Sequence, residues 1–367
     1  MNLLQENYNY RQILQLVIQT GGISRAQIAR ETSLNRSTIS YVINYFLENK
    51  IVFETSEKVL TGGRASTLIK FNYDIEKIMI VDLQKNKVKV LITTYAGKYL
   101  DRFDFPITHG DTGNIEYIQN CIRIVLEKHN GIKSCGVAIH GIVSNTKNII
   151  TSPFYTYEYE DIIRIFEKFN LNIHIENEAN IYTNGILVQD NLNITNLMNL
   201  HIKDGVGSGQ ILNGSLYRGD NGYAGEIGHS IVIPGGEQCR CGNKGCLELY
   251  TSERYFIKQI ENITGSPYNI HDVAMLVQNN ADVAVVYHQI VDLLSLKIND
   301  IILLIDVIDL YITSDLFNEI SSFKDDILSR LNSRNYVKPN ITVISADIEL
   351  FTAGFARIIL QNQFSLN

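Results

Sequence analysis

Residues 224–253 read AGEIGHSIVIPGGEQCRCGNKGCLELYTSE, and the reading of this run decides what the rest of the chain is. His229, Cys239, Cys241 and Cys246 fall within eighteen residues, flanked by Glu226 and Glu248. The core is C-x-C-x4-C behind a histidine. Thiolates and imidazole are the preferred ligands of zinc, and four of them make a closed tetrahedral site. Gly242 and Gly245 let the backbone wrap tightly around an ion. Four protein ligands leave no open position for a catalytic water, so the expected role of Zn2+ is structural. It would hold His229 and the flanking carboxylates in place. The competing readings are three reduced thiols adjacent by coincidence and a disulfide, which a reducing cytosol disfavours.

Around this run, strands alternate with helices. Residues 75–83 and 87–107 read as strands, 115–130 as an amphipathic helix, and 135–144 as a buried strand. A strand leads into a helix beginning near Glu178, and 197–219 reads as strand, Gly-rich turn and strand. Residues 301–315 and 340–347 look strand-like, with helices near 251–300 and 315–332. Such alternation implies an α/β body of two lobes with a cleft between them, where a ligand would sit. Asn177, Glu178, Glu226, His229 and Glu248 are the candidate ligand groups. Facing carboxylates, amides and imidazoles are how proteins hold polyhydroxyl compounds, because each hydroxyl both donates and accepts.

Residues 1–72 differ in kind. Ile13, Leu14, Leu16 and Val17 give a first helix its apolar stripe, and Gly21-Gly22 stops it. Ser24 with Gln27 three residues on is a capping-box spacing for a second helix. A third begins near Arg36, with Ile39, Val42, Ile43, Phe46 and Leu47 at helical spacing. Two β-rich runs around Gly62-Gly63-Arg64 follow. Three helices and a hairpin predict a winged helix-turn-helix. Arg36, Ser37, Thr38 and Tyr41 are the groups to enter a major groove, and Arg64 at the wing tip is the one to reach a minor groove or phosphate.

Charge agrees with this division. Residues 1–70 hold eight Lys/Arg against five Asp/Glu, while the remainder holds 24 against 34. An acidic body repels nucleic acid and a small basic head does not. Apolar residues at 45% and charged residues at 19% are ordinary for a globular protein. No apolar run approaches the roughly 18 residues that cross a bilayer, and no basic region precedes a greasy N-terminal segment. The expectation is a cytoplasmic protein with no membrane partner. Cys121 and Cys135 read as buried small hydrophobes.

The stretches GYAGEIGHS and CRCGNKGCLELYTSE closely resemble the signature of the ROK family, which groups bacterial sugar repressors and sugar kinases. IENEAN and DGVGSGQILNGSLYRG match that family in the expected order. The wording is most similar to that of the family's xylose repressors. The resemblance implies an actin-like/ribonuclease-H-like pair of lobes behind the winged head. Its boundaries would be a DNA-binding domain over 1–72, a first lobe over 73–187 and a second over 188–367, with the final helix packing back on the first lobe. It implies sugar contacts at Asn177, Glu178, Glu226, His229 and Glu248, zinc ligation by His229, Cys239, Cys241 and Cys246, and a homodimer or tetramer.

The family offers repressor and kinase. Its kinases carry Asp where Glu178 stands, and one extra methylene misplaces a general base by about an ångström. They open the body with an Asp-x-Gly-Gly-Thr phosphate loop, where this chain reads Asp82-Leu83-Gln84-Lys85-Asn86. A late glycine cluster is replaced by YITSD. The expectation is therefore no catalytic residue. A repressor of xylose utilisation would bind a palindromic operator and be released by sugar, with an ATP-dependent sugar kinase as the alternative. His140-Gly141 stands where the family has Pro-Gly, and Ser152-Pro153-Phe154 where it has Ser-Pro-Asn or Thr-Pro-Asn. His140 reads as a local packing or surface residue, with an added ligand contact as the alternative, and xylose as the first-choice effector.

Overall fold

A computed structural model describes residues 8–364, apart from 62–63, 108–113, 145, 147, 153–156, 190–193, 268 and 332–338, and apart from the side chains of 57–65. Helices α1 (Tyr8–Gln19), α2 (Arg25–Thr32) and α3 (Arg36–Glu48) precede an antiparallel pair, β1 (Val52–Thr61) and β2 (Arg64–Phe71). Gln27 N–H donates to the Ser24 hydroxyl, and Ser24 N–H donates to Gln27 Oε1. This capping box starts α2 where its sequence spacing placed it. Ile13, Leu14 and Val17 of α1 share one solvent-free core with Ile39, Val42 and Phe46 of α3.

The body contains two five-stranded sheets built to one plan. In the first, β3 (Lys77–Leu83), β4 (Lys87–Thr94) and β5 (Tyr99–Pro106) form an antiparallel meander. After α4 (Ile115–Lys128), β6 (Ser134–Ile139) joins parallel to β3. A small hairpin of β7 (Ile142–Ser144) and β8 (Ile149–Thr151) and then α5 (Tyr159–Phe166) lead to β9 (Asn172–Asn177), parallel to β6. Helix α6 (Glu178–Gln189) leaves from the end of β9. The second sheet repeats the order. β10 (Leu197–Ile202), β11 (Val206–Leu212) and β12 (Ser215–Leu216) are antiparallel. A helical crossover of α7 (Glu248–Thr251), α8 (Glu253–Thr264), α9 (Val273–Asn279) and α10 (Ala281–Ile305) returns to β13 (Asp309–Thr313), parallel to β10. Helices α11 (Asp315–Asn318) and α12 (Phe323–Arg330) lead to β14 (Asn340–Ile344), and α13 (Ile348–Phe364) closes the chain's described part. The central strands are buried on both faces, as strands with helices on either side must be.

Residues 301–315 differ from their sequence reading. Helix α10 continues to Ile305 and ends at Asp306 in the left-handed conformation (φ 55°), and the strand begins only at Asp309. An Ile/Leu run has no period that separates a buried helix end from a buried strand.

Helices α6 and α13 follow the last strands of their respective sheets and cross each other. Gly185 and Gly354 sit at the crossing, where a Cβ would strike the backbone carbonyls of Leu350 and Ile181. Helix α13 has 17 residues and so spans roughly 25 Å. Its first turns, with Ile348 and Phe351, line the interlobe cleft. Its last residue, Phe364, meets Phe71 of β2 edge-on at 5.6 Å and lies 6.0 Å from Tyr95. One rigid element thus touches both the cleft and the base of the N-terminal head.

Candidate functional site

A cleft of about 840 Å³ opens between the two sheets. Asn177, Glu178, Glu226, His229 and Glu248 all line it, as do His140, His201, Lys89, Lys203 and Arg240. Five residues singled out from sequence therefore meet in one place, although they come from two separate stretches, 177–178 and 224–253.

The metal candidates adjoin the cleft through His229, which lines it. The ligand atoms of His229, Cys239, Cys241 and Cys246 lie within 4.8 Å of one another. His229 Nδ1 is 3.6 Å from Cys239 Sγ, and Cys241 Sγ is 3.6 Å from Cys246 Sγ. All five cysteines are free thiols. Gly245, at φ 81°, turns the loop against the Ile233 carbonyl where any Cβ would clash. Three sulfurs and one imidazole nitrogen at this spacing fit a tetrahedral soft-metal site. His229 presents Nδ1 to the thiols, while Nε2 points to the cleft side, 3.8 Å from Glu226 Oε2.

The acids beside it are partly engaged. Glu248, first residue of α7, places Oε1 3.5 Å from His229 Nδ1 and accepts at Oε2 from Arg240 at 3.4 Å. Burial, with Glu248 nearby, pushes Glu226 up to about 7. Asn177 Oδ1 accepts from the Ala179 and Asn180 N–H groups at 2.8 and 3.3 Å, capping α6. Its Nδ2 donates to the Gly141 carbonyl. Its amide therefore has one N–H left for a ligand.

The cleft floor is occupied by a chain of ions. His140 Nε2 lies 2.7 Å from Asp82 Oδ1, and its Nδ1 lies 2.6 Å from Glu178 Oε2. Both ring nitrogens face carboxylates, so both carry protons. Asp82 also accepts from Lys89 at 2.8 Å and from Gln84 at 2.7 Å. Burial opposes the charge on His140, but Glu178 and Asp82 outweigh it and hold the imidazolium well above the usual histidine range. Burial likewise opposes the charge on Glu178, yet His140 and His201 hold its carboxyl well below the usual carboxylate range. Asp82 is lowered against burial by His140 and Lys89. His140 is thus neither filler nor surface decoration: it ties β3 to the start of α6. A second ion pair, Lys203 with Asp315, joins the end of β10 to α11. Sequence reading did not find Lys89, Lys203 or His201 in the cleft. Their one signal was position at or near strand ends on the ligand side of each sheet.

In the head, Arg36, Ser37 and Tyr41 are exposed and Thr38 half-exposed on the first turns of α3. Asn35 caps that helix, accepting from Thr38 N–H at 2.8 Å and from the Ser37 hydroxyl at 2.6 Å. Ser40 and Asn44 are exposed on the same helix. Arg64 opens β2, and its side chain lies outside the described residues, as do Pro153 and Phe154. Among the described residues no helix is long and apolar enough to cross a membrane.

The ROK family profile matches residues 78–346. Among curated relatives, the xylose repressor of Bacillus spizizenii is 30% identical over 262 residues, covering 69% of this chain and 68% of that protein. The xylose repressor of Staphylococcus xylosus is 27% identical over 374 residues, covering 98% and 96%. Among solved structures, a ROK family transcriptional regulator homologous to the E. coli MLC protein superposes with a TM-score of 0.80 at 19% identity, covering 97% of this chain and 96% of that one. A ROK family glucokinase from Streptomyces griseus, solved with glucose and AMPPNP, superposes with a TM-score of 0.64 at 18% identity, covering 78% and 99%. At these identities the two structures share the fold.

Proposed function

The chain belongs to the ROK family, and from that premise we propose that it is a sugar-responsive, DNA-binding transcriptional repressor. Xylose is its first-choice effector and the cleft is its effector site. The observation that carries this reading is the pairing of a three-helix, hairpin-bearing head with a body whose floor is filled by its own ions. Phosphoryl transfer needs a free carboxylate base and a backbone cradle open to phosphate. Here Glu178 is the counter-ion of His140, and the turn after Asp82 folds Gln84 back onto that aspartate.

In this reading the protein is not an enzyme. The His229, Cys239, Cys241 and Cys246 cluster holds structural zinc, which would fix the His229 ring at the cleft wall. Two copies bind one palindromic operator, one head per half-site, as a dimer or a tetramer in the cytoplasm. Sugar in the cleft biases the lobes, and α13 is the physical link to the head because its two ends rest on both. The effector lowers operator affinity only if it binds the released state more tightly, by a few kcal/mol for a clear response.

The test is fluorescence anisotropy on the chain's own upstream DNA, with and without saturating D-xylose. Sugar should weaken binding, and unchanged affinity at saturation removes the inducer role. Glu178→Ala should abolish the response and leave operator binding intact. The alternative, an ATP-dependent sugar kinase on the shared fold, predicts sugar-dependent ADP release in a coupled assay.

A further inference from the structure

Resting on the two-copy reading above, we propose that a second copy of this chain seats on the outer face of α10, over residues 293–308, helix against helix about a two-fold axis. Helix α10 is 25 residues long, and one face of it is spent on the second lobe's core. Tyr287, Ile290, Val291, Leu294, Ile298 and Ile301 are buried there. The opposite face changes character along its length. Its first half offers His288, Gln289 and Asp292 to solvent. Its second half offers Leu296, Leu303 and Leu304, with Ile308 just beyond the helix end. Leu304 is 84% exposed, and the other three are about half exposed. A helix that is apolar on both sides belongs between two packed surfaces. Large apolar side chains gathered in one exposed patch mark an interaction site, whereas single ones are ordinary surface.

The order of residues along this face names the occupant. Leu293, Lys297, Asp300 and Leu304 follow one another at intervals of four, three and four, so they form a single ridge. The ridge reads Leu-Lys-Asp-Leu in one direction and Leu-Asp-Lys-Leu in the other. Laid antiparallel on a copy of itself, with the axis passing between Ile298 and Asn299, it sets Leu293 opposite Leu304 and Lys297 opposite Asp300, each twice. That is the self-complementarity of a two-fold interface, in which residue i meets j and j meets i. Within one chain Lys297 Nζ already lies 2.8 Å from Asp300 Oδ2. Across the axis the two pairs become four alternating charges between leucines. Leu296 and Leu303 flank the ridge and are covered with it.

The experiment uses the full chain, with mass read by light scattering across a dilution series. Wild type should have at least twice the mass of one chain. Leu304→Glu should weaken self-association about tenfold to a hundredfold, and because Leu304 stands in solvent its circular dichroism should match wild type. Lys297→Asp and Asp300→Lys should each weaken association too, since each sets like charges opposite one another at two places. Mixed together, these two variants should pair with each other and recover most of the lost affinity. The intrachain pair is missing from both, so recovery on mixing is a result that a merely local role for Lys297 and Asp300 does not give. Wild type that stays a single chain throughout the series overturns the inference. So does Leu304→Glu with the wild-type mass, or a mixture that recovers nothing. A protein that self-associates as described but binds none of its upstream DNA overturns the repressor reading and leaves the interface standing. One that binds that DNA and keeps its mass in Leu304→Glu does the opposite.

Discussion

Two polar clusters brace the same cleft, and they are built in opposite ways. The thiol cluster draws all its candidate ligands from residues 229–246, one continuous stretch of chain. The ion chain takes Asp82 from β3, Lys89 from β4, His140 from the turn after β6 and Glu178 from the head of α6. The first can assemble before the body folds. The second exists only once the sheet has paired β3 with both β4 and β6 and has placed β9 beside β6. One is a local clip and the other a product of the fold, so they should fail differently.

The largest expected effect comes from the clip. A structural metal contributes its binding free energy to folding, because the unfolded chain holds no such site. Elemental analysis should find about one zinc per chain. Cys246→Ser, or a strong chelator, should release it and destabilise the second lobe by several kcal/mol, seen as a lowered and broadened melting transition. Should the metal-free protein melt like the native one, the loop folds without its clip and the contrast between the clusters disappears.

The ion chain comes next. His140→Leu leaves Asp82 and Glu178 buried with less compensation, at a cost of about 3–5 kcal/mol in denaturant unfolding. Neutralising Asp82, His140 and Glu178 together, with Asp82→Asn, His140→Leu and Glu178→Gln in one protein, leaves half-buried Lys89 as the chain's one remaining charge and should recover much of that loss. The penalty belongs to stranded charge more than to the missing contacts. Equal destabilisation in the single and triple variants would assign His140 a packing role after all.

The same chain sets the pH dependence. The raised pKa of His140 contributes stability that is fully present below the ordinary histidine value and is lost as pH rises through its folded value. The depressed Asp82 and Glu178 contribute stability that is fully present above the ordinary carboxylate values and is lost as pH falls through theirs. Between about pH 5 and 6 both contributions are in place. His140→Leu reverses the acid side. Its stranded carboxylates take up protons on folding, so the variant should gain stability relative to wild type as pH is lowered. Urea midpoints of the two proteins across this range check the sign.

The contrast also explains what could be read in advance. The loop of 224–253 was legible because its chemistry is contiguous: four soft ligands, two glycines and two flanking acids declare themselves without a fold. The capping box at Ser24 and the stripe of Ile39, Val42, Ile43 and Phe46 were legible for the same reason, since helical spacing is a property of neighbours. His140 was not. A single histidine after a buried strand carries no sign of its partners, 58 residues before it and 38 after it, until the sheet order is known. His201 was hidden further, because its stacking partner Tyr182 and its hydroxyl partner Thr313 come from both lobes. The stretch 301–315 failed differently: β-branched and leucine residues fill a helix end as readily as a strand.

In the head, Arg36→Ala should weaken operator binding by about 1–3 kcal/mol and leave calorimetric sugar affinity unchanged. A sugar defect in that variant would mean that the head and the cleft do not divide the work. The smallest effect tests Asn177, which belongs to both descriptions: sequence offers it as a sugar ligand, and the fold commits its oxygen to capping α6. Serine is as good a cap as asparagine but has no amide N–H to extend into the cleft. Asn177→Ser should therefore lose about 1 kcal/mol, the hydrogen bond that Nδ2 makes to the Gly141 carbonyl, whereas Asn177→Ala should lose about 2 kcal/mol, that bond and the cap together. If sugar affinity falls in the serine variant while its stability loss stays at that level, the remaining N–H serves the effector. If affinity holds as well, Asn177 acts on the cleft only by fixing where α6 begins, and so where Glu178 points.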